Sequence, residues 1–173
     1  DKACGEGLMP AGVAALDLSE VDIVRFLQAT VAADPALVLT IPPTTGSLVI
    51  DADKRRLARV MANLLDNARQ YGGGVTAVIL EHDETIRIAV EDEGPGVPET
   101  ERHEIFDRFA RGSTGGRRGD DGGTGLGLSL VAEDLRLHRG RVWAEDRSDG
   151  REGARFVLEL PLTLTLANSD VEW

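Results

Sequence analysis

The sequence predicts a mixed α/β chain, and three observations carry that reading. One long segment repeats apolar residues at three- and four-residue steps, pairs of short alternating segments flank polar turns, and a second helical run is entered through glycines. The length of 173 residues suits about one domain. With 42% apolar and 28% charged residues the chain can bury a real core and is not expected to be disordered. No apolar run approaches the roughly 20 residues of a membrane span, and no signal peptide opens the sequence, so this stretch is expected to be soluble. A net charge of −11 repels phosphate backbones and no local basic patch offsets it, which argues against nucleic acid as a partner. The single cysteine, Cys4, excludes an internal disulfide framework and a cysteine-based zinc site, and reads as an inert thiol in a reducing compartment.

Taken in order, residues 1–15 lack pattern and read as irregular. Ser19, Asp22 and the apolar series Val21, Val24, Phe26 and Leu27 predict a capped helix. A strand is expected over 36–41, ended by Pro42 and Pro43, and a second over 47–50 entering a turn at Asp51. The clearest helix covers 53–71, where Leu57, Val60, Met61, Leu64, Leu65, Ala68 and Tyr71 form one stripe; Gly72, Gly73 and Gly74 stop it. Strands over 75–80 and 85–90 follow, joined by the polar turn 81–84, and Ile86, Ile88 and Val90 alternate so as to face a core. Residues 98–106 suggest a short helix. Residues 125–138 suggest a mostly buried helix with apolar residues on two sides. Segments 142–145 and 154–160 read as a last hairpin across Asp149 and Gly150, and 163–173 as a tail. No internal repeat is present.

Three clusters carry chemistry. Asn63 and Asn67 stand one turn apart on a shoulder of the apolar stripe, roughly 5–6 Å between β-carbons. Asparagine is a poor helix former, so the pair either bonds to a neighbouring loop or faces a cleft, where an amide oxygen is a hard ligand for Mg²⁺. Asp92-Glu93-Gly94-Pro95-Gly96 follows directly on the alternating strand. It is either an ordinary turn or a pocket floor, where a carboxylate accepts from an adenine amino group and rejects the guanine carbonyl, acceptor facing acceptor. Gly123-Thr124-Gly125-Leu126-Gly127-Leu128 opens the second helix. It is either a flexible linker or a set of main-chain N–H groups presented to phosphate at a helix N-terminus. The spacing fits neither a Walker A loop nor G-x-G-x-x-G.

Between the second and third clusters, 112–123 holds six glycines with Ser113, Thr114, Arg117, Arg118, Asp120 and Asp121 and no apolar residue. Such a loop cannot fold onto a core by itself and reads as a lid. Phe106 and Phe109 either pin its base or belong to the core, and Arg108 and Arg111 offer guanidinium charge towards phosphates.

The order and spacing of these elements resemble the catalytic ATP-binding domain of sensor histidine kinases of bacterial two-component systems, within the GHKL superfamily. "NLLDNARQY" stands as the N box, "DEGPG" as the G1 box, "IFDRFARG" as the F box and "GTGLGLSLV" as the G2 box, over roughly residues 18–161. The resemblance implies a two-layer α/β sandwich, the Bergerat fold: a mixed, mostly antiparallel sheet with helices on one face and the nucleotide between helix layer and lid. It implies ATP and Mg²⁺ as cofactors. Asn67 would carry the metal, Asn63 would support the phosphate end and take part in catalysis, and Tyr71 would lie near the adenine. Asp92 would read the amino group, with Gly94, Gly96 and Val97 shaping the base pocket. Gly123, Thr124, Gly125, Leu126, Gly127 and Leu128 would offer donors to the phosphates, and Arg111 with Arg108 would assist the γ-phosphate.

The resemblance also implies that residues 1–17 follow a dimerisation hairpin and that 162–173 form a tail. The acceptor histidine, in a motif of the H-E-x-x-H-x-[RP] kind, is absent here, and His82, His103 and His138 have no such surroundings. The partners implied are therefore the phosphoacceptor domain of the same kinase and a cognate response regulator. The parent is expected to be homodimeric and membrane-anchored, with this domain cytoplasmic. ATP-hydrolysing members of the superfamily place a glutamate four residues before the metal-binding asparagine, where this sequence has Asn63. An amide cannot serve as a base, which favours phosphotransfer over hydrolysis. A nucleotide-binding module without histidine kinase activity, or an anti-sigma-type serine kinase, is the alternative. Family members usually carry lysine or arginine just before the N-box tyrosine. This chain has Gln70, with Arg56, Arg117 or Arg118 as candidates to compensate and Arg69 turned 100° away, and weak nucleotide affinity is the expectation.

Overall fold

The structure, a computed structural model, describes residues 16–73, 76–108 and 126–162. Its frame is a five-stranded sheet in which β2 (Leu37–Thr40) pairs in parallel with β4 (Thr76–His82). From there β5 (Thr85–Glu91), β7 (Ala154–Pro161) and β6 (Arg141–Asp146) add antiparallel, giving the order β2-β4-β5-β7-β6. A separate antiparallel pair joins β1 (Ser19–Asp22) to β3 (Val49–Ala52). Three helices pack on the sheet: α1 (Ile23–Ala32), α2 (Lys54–Tyr71) and α3 (Gly127–Leu137).

Register explains why the helices take one face. Val78 stands opposite Val90 and Leu80 opposite Ile88; across β7, Phe156, Leu158 and Leu160 face Val90, Ile88 and Ile86. All of these are buried, against the stripe Leu57, Val60, Met61, Leu64, Leu65 and Ala68 of α2 and against Val131 and Leu135 of α3. Each fully buried large apolar side chain contributes about 1.5–3 kcal/mol, and a slip of one residue would turn a whole strand's set outward. The opposite face carries two charged rows, with Ile79, Ala89, Val157 and Trp143 between them. Glu81, Arg87, Glu159 and Arg141 form one cross-strand row, and Glu91, Arg155 and Glu145 another. Unlike charges opposed across strands support the pairing.

Helices α2 and α3 run antiparallel side by side. His138, just past α3, bonds to the backbone of Asp53, the N-cap of α2, while Gly127 at the start of α3 lies against Asn63 in mid-α2. Between these points Asp134, 1% exposed, accepts from Arg56 at 2.8 Å and from Arg59 at 2.9 and 2.7 Å. The pairing is what carries the N-terminus of α3 to the amides of α2.

Several expectations need correction. Residues 19–22 are strand, because Val21 pairs with Ile50; the helix starts at Ile23, with Asp22 as the cap that accepts from the Arg25 N–H at 3.2 Å. The strand expected over 47–50 lies at Val49–Ala52, so Asp51 is within it rather than in a turn. The short helix of 98–106 is two 3-10 turns, Glu99–Glu101 and Glu104–Phe106, neither with a side-chain cap. Helix α3 is half-buried rather than mostly buried: Leu130 is exposed, and two of its four buried residues, Ser129 and Asp134, are polar. The readings of 1–15, of the lid 112–123 and of the tail 163–173 lie outside the described residues, as does Cys4.

Candidate functional site

Strand β5 delivers Asp92 to the floor of the site, 3% exposed. Its Oδ1 accepts the N–H of Gly94 at 2.9 Å and the N–H of Ala154 at 3.0 Å, and its own N–H donates to the Ala154 carbonyl at 3.0 Å. Its carbonyl accepts from Arg147 Nη1 at 2.9 Å. Among the described residues Oδ2 takes no hydrogen bond, so one carboxylate oxygen holds the side chain in place and the other remains to accept. The neighbouring Glu91 is held by a different set. Burial pushes its carboxyl up, but hydrogen bonds from Arg155 and from the Ser148 hydroxyl and amide overcome this and keep it below its ordinary value.

Close approach sets where glycine is required. A β-carbon on Gly94 would lie 2.5 Å from the Tyr71 carbonyl oxygen and 2.9 Å from Gly72 Cα. One on Gly72 would overlap the Ala68 carbonyl oxygen and Asp92 Cβ. The turn after β5 therefore closes directly on the end of α2, with no room for a side chain between them.

Along α2, Asn63 and Asn67 are both half-buried, as the stripe geometry predicts. Asn63 Nδ2 is a buried donor with no hydrogen-bond partner, and its Oδ1 stands 3.5 Å from where a Gly127 β-carbon would be. Between Asn63 and Gly72 the helix rises about 13 Å, so the Asn63 amide and the Asp92 carboxylate, which lies against Gly72, stand well apart along α2. At the amide end Leu126 is the N-cap of α3, and its carbonyl accepts from the Leu130 N–H and the Ser129 hydroxyl, both at 3.0 Å. The N–H groups of Gly127 and Leu128, in the first turn, have no carbonyl partner inside the helix. Leu128 anchors this end by packing on the core.

The other expected residues are placed as follows. Tyr71 is exposed at the end of α2, and Val97 packs on the core while its carbonyl accepts from Arg102 at 3.1 Å. Gly96 has φ +74° and abuts the Gly153 carbonyl. Arg108 pairs with Glu133 of α3 at 3.0 Å and is exposed. Phe106 meets Phe156 edge to face and packs on the core. Arg56 is tied to Asp134 and Asp53, about 21 Å along the helix from Gln70, and does not stand in for the missing cation. Arg69 is held by Asp34 and Asp66. Phe109, Arg111, Arg117, Arg118, Gly123, Thr124 and Gly125 lie outside the described residues.

Sequence reasoning missed Gly72, Arg147 and Gly153. Gly72 reads as a helix stop, and the other two sit in the charged turn 147–153, which looks like solvated surface. Among the described residues no cluster of three histidine, cysteine, aspartate or glutamate side chains could hold a metal.

Comparison with known proteins agrees with this geometry. The family described as histidine kinase-, DNA gyrase B- and HSP90-like ATPases matches residues 52–164. The signal transduction histidine-protein kinase AfsQ2 of Streptomyces coelicolor is 37% identical over 152 residues, which are 87% of this chain and 28% of that protein. The sensor-type histidine kinase PrrB of Mycobacterium tuberculosis is 36% identical over 129 residues, 73% of this chain and 27% of that protein. The chain thus spans under a third of the length of these curated relatives. Among solved structures, the ATP binding domain of PrrB from Mycobacterium tuberculosis superposes with a TM-score of 0.62 at 30% identity, covering 84% of this chain and 97% of that one. Full-length ShkA in complex with AMPPNP superposes with a TM-score of 0.67 at 25% identity, covering 87% of this chain and 32% of that one.

Proposed function

Because the chain belongs to the family of histidine kinase-, DNA gyrase B- and HSP90-like ATPases, we propose that its cleft holds Mg-ATP and presents the γ-phosphoryl group to a histidine on another domain of a sensor kinase. The observation that carries this reading is Asp92: a buried carboxylate with one oxygen fixed by two main-chain donors and the other available to an adenine amino group.

The residues present fit a nucleotide. The orphaned Nδ2 of Asn63 is a donor that a phosphate oxygen would satisfy, and it stands close to Gly127, where the first turn of α3 begins. Asn67 supplies the amide oxygen for a magnesium ion, which when bound neutralises phosphate charge as the γ-group is transferred. Gly94 and Gly96 let the turn after Asp92 close on the end of α2 and on the Gly153 carbonyl, which sets the wall beside the carboxylate.

In the transfer an acceptor imidazole nitrogen bonds to the γ-phosphorus as the bond to the departing ADP oxygen breaks. The described histidines are poorly suited to accept. His138 is bonded through both ring nitrogens, and neither His82 nor His103 stands in an H-E-x-x-H-x-[RP] motif. The acceptor domain, its dimer interface and any membrane anchor belong to the larger part of the sensor kinase, and a response regulator receives the phosphoryl group next. No helix among the described residues is long and apolar enough to cross a membrane. Asn63 provides no base for water, so transfer to imidazole outruns hydrolysis.

Titration of the chain with Mg-ATP and Mg-GTP, before and after Asp92→Asn, tests the pocket. The asparagine oxygen can keep both main-chain bonds while an NH₂ replaces the free acceptor, so preference should move from ATP towards GTP by about 10-fold or more. Adding the phosphoacceptor hairpin in trans tests the chemistry: acid-labile phosphate on the hairpin is expected, and acid-stable phosphoserine or none would sink the kinase reading.

A further inference from the structure

The turn between β6 and β7 lies outside all four sequence boxes, yet it grips the floor of the cleft. We propose that Arg147 is a positioning residue for base selection, locking the main chain at Asp92 so that the carboxylate keeps its aim. This rests on the reading of Asp92 as the adenine acceptor.

The guanidinium is fully engaged. Nη1 donates to the Asp92 carbonyl at 2.9 Å, while Nε and Nη2 grip both oxygens of Asp149 at 3.0 and 2.7 Å. Asp149 also accepts the Arg151 N–H at 3.1 Å, and the Gly150 N–H closes on the Arg147 carbonyl at 3.2 Å. The fork is therefore oriented by its own turn before it meets Asp92. Only arginine offers three planar donors in that geometry. The hydrogen bond from Arg147, and then that from the Arg151 amide, holds the Asp149 carboxyl down at about 2, so the partner stays charged.

The turn holds the neighbouring residues as well. Ser148 donates its N–H and hydroxyl to Glu91 at 3.1 and 2.8 Å. Gly153, at φ +141°, lies so close that a β-carbon there would overlap the Asp92 carbonyl oxygen and crowd Arg147 Cδ. The carbonyl that Arg147 fixes belongs to the peptide linking Asp92 to Glu93, and the next N–H but one, from Gly94, returns to Asp92 Oδ1. Fixing that peptide plane fixes the direction of the carboxylate. Without Arg147 the carbonyl is a buried acceptor with no partner, and the peptide can turn to find water, taking the Gly94 bond with it.

The test uses Arg147→Met, Arg147→Lys and Asp149→Asn in the 173-residue chain, with Asp92→Ala as reference, reading Mg-ATP and Mg-GTP dissociation constants beside thermal unfolding. Arg147→Met should weaken ATP by about 10-fold and narrow the ratio of GTP to ATP dissociation constants by a similar factor, since the selective contact is what is misaimed. Lysine, which still donates once to the carbonyl, should recover most of the ratio. A role in stability alone would lower the melting temperature and leave the ratio untouched. If Arg147→Met does not fold, Asp149→Asn decides, with a narrowing of the ratio by about threefold expected from a fork freed on one side. An unchanged ratio in the deciding variant, with binding lost in Asp92→Ala, overturns the role of Arg147 and leaves the pocket standing. Unchanged binding in Asp92→Ala overturns both.

Discussion

His138 Nε2 accepts the backbone N–H of Asp53 at 3.0 Å, and the same ring's Nδ1 donates to the Asp134 carbonyl at 2.7 Å. The donors fix the tautomer, with the proton on Nδ1 and the lone pair on Nε2. One side chain thus ties the end of α3 to the start of α2, at the opposite end of the pair from the contact between Asn63 and Gly127. Replacing His138 by alanine strands the Asp53 N–H in a buried place, while the Asp134 carbonyl keeps the backbone N–H of residue 138 at 3.3 Å. A loss of about 1–3 kcal/mol is expected in urea denaturation, with His138→Gln less costly because its amide oxygen can accept from Asp53. A loss below about 0.5 kcal/mol, the scale of a neutral surface change, would show the tie to be incidental.

Two glycines should respond in opposite ways. Gly94→Ala forces a methyl to within 2.5 Å of the Tyr71 carbonyl oxygen, which is backbone and cannot swing aside, so stability should fall by about 1–3 kcal/mol. Among the described residues Gly127→Ala meets Asn63 alone, with Oδ1 at an ordinary 3.5 Å, and alanine favours helix, so stability should hold or rise by up to about 1 kcal/mol. Mg-ATP affinity should nonetheless fall by about 10-fold in Gly127→Ala, because the methyl occupies ground kept clear for phosphate. Melting curves and calorimetric titration on the same samples separate the two effects.

What the sequence made legible follows the range of the interactions involved. Helix α2 and the strands β4, β5 and β7 announce themselves through a period that a single segment contains, and Asp92, Gly94, Asn63 and Asn67 are recognisable beside them. Strand β1 is not, because its partner β3 lies about thirty positions further on, while the local signal is a true one displaced: Asp22 does cap a helix, one residue later than the series at Val21 suggests. Arg147 was invisible for the same reason. Its bond to Asp92 spans 55 positions, and nothing in R-S-D-G-R-E-G distinguishes a gripping turn from a solvated one. Gly72 likewise gains its meaning only from Asp92, brought against it by the sheet.

The outer face of the sheet should set the acid limit of the domain. Glu91 and Arg155 are both nearly inaccessible and 2.8 Å apart, with Glu145 and Glu81 completing the hold on the guanidinium. Hydrogen bonds from Arg155 and Ser148 outweigh burial and hold the Glu91 carboxyl below its ordinary value of 4.5. A carboxyl lowered in the folded state contributes stability in full above that value, and loses it as pH falls through the lowered one. Glu159, lowered by Arg141 and then Arg87, acts in the same direction. Glu91→Gln should cost about 1–3 kcal/mol at pH 7 and flatten the decline in stability below pH 4.5. Denaturation series at several pH values check this, and parallel curves for the parent and the variant would rule Glu91 out as a contributor.

Gln70 offers the sharpest test of how far along α2 the phosphates reach. It lies seven residues beyond Asn63, about 10 Å along and about 20° round the helix, on the same flank as the amides and exposed. Neither nearby arginine on α2 supplies the charge that position lacks: Arg69 is drawn away by Asp34 and Asp66, both at 2.7 Å, and Arg56 is held at the far end by Asp134. A lysine at 70 would stand free to reach a phosphate. Gln70→Lys should tighten Mg-ATP binding by about 3–10-fold at low salt, and the gain should shrink as ionic strength rises from 0.01 to about 0.15 M and the Debye length falls to about 8 Å. Gln70→Leu, which adds no charge, should bind as the parent does. Equal affinities for all three proteins across the salt series would mean that the phosphates do not pass this flank of α2, and the amide end of the cleft would have to be assigned to another part of the ligand.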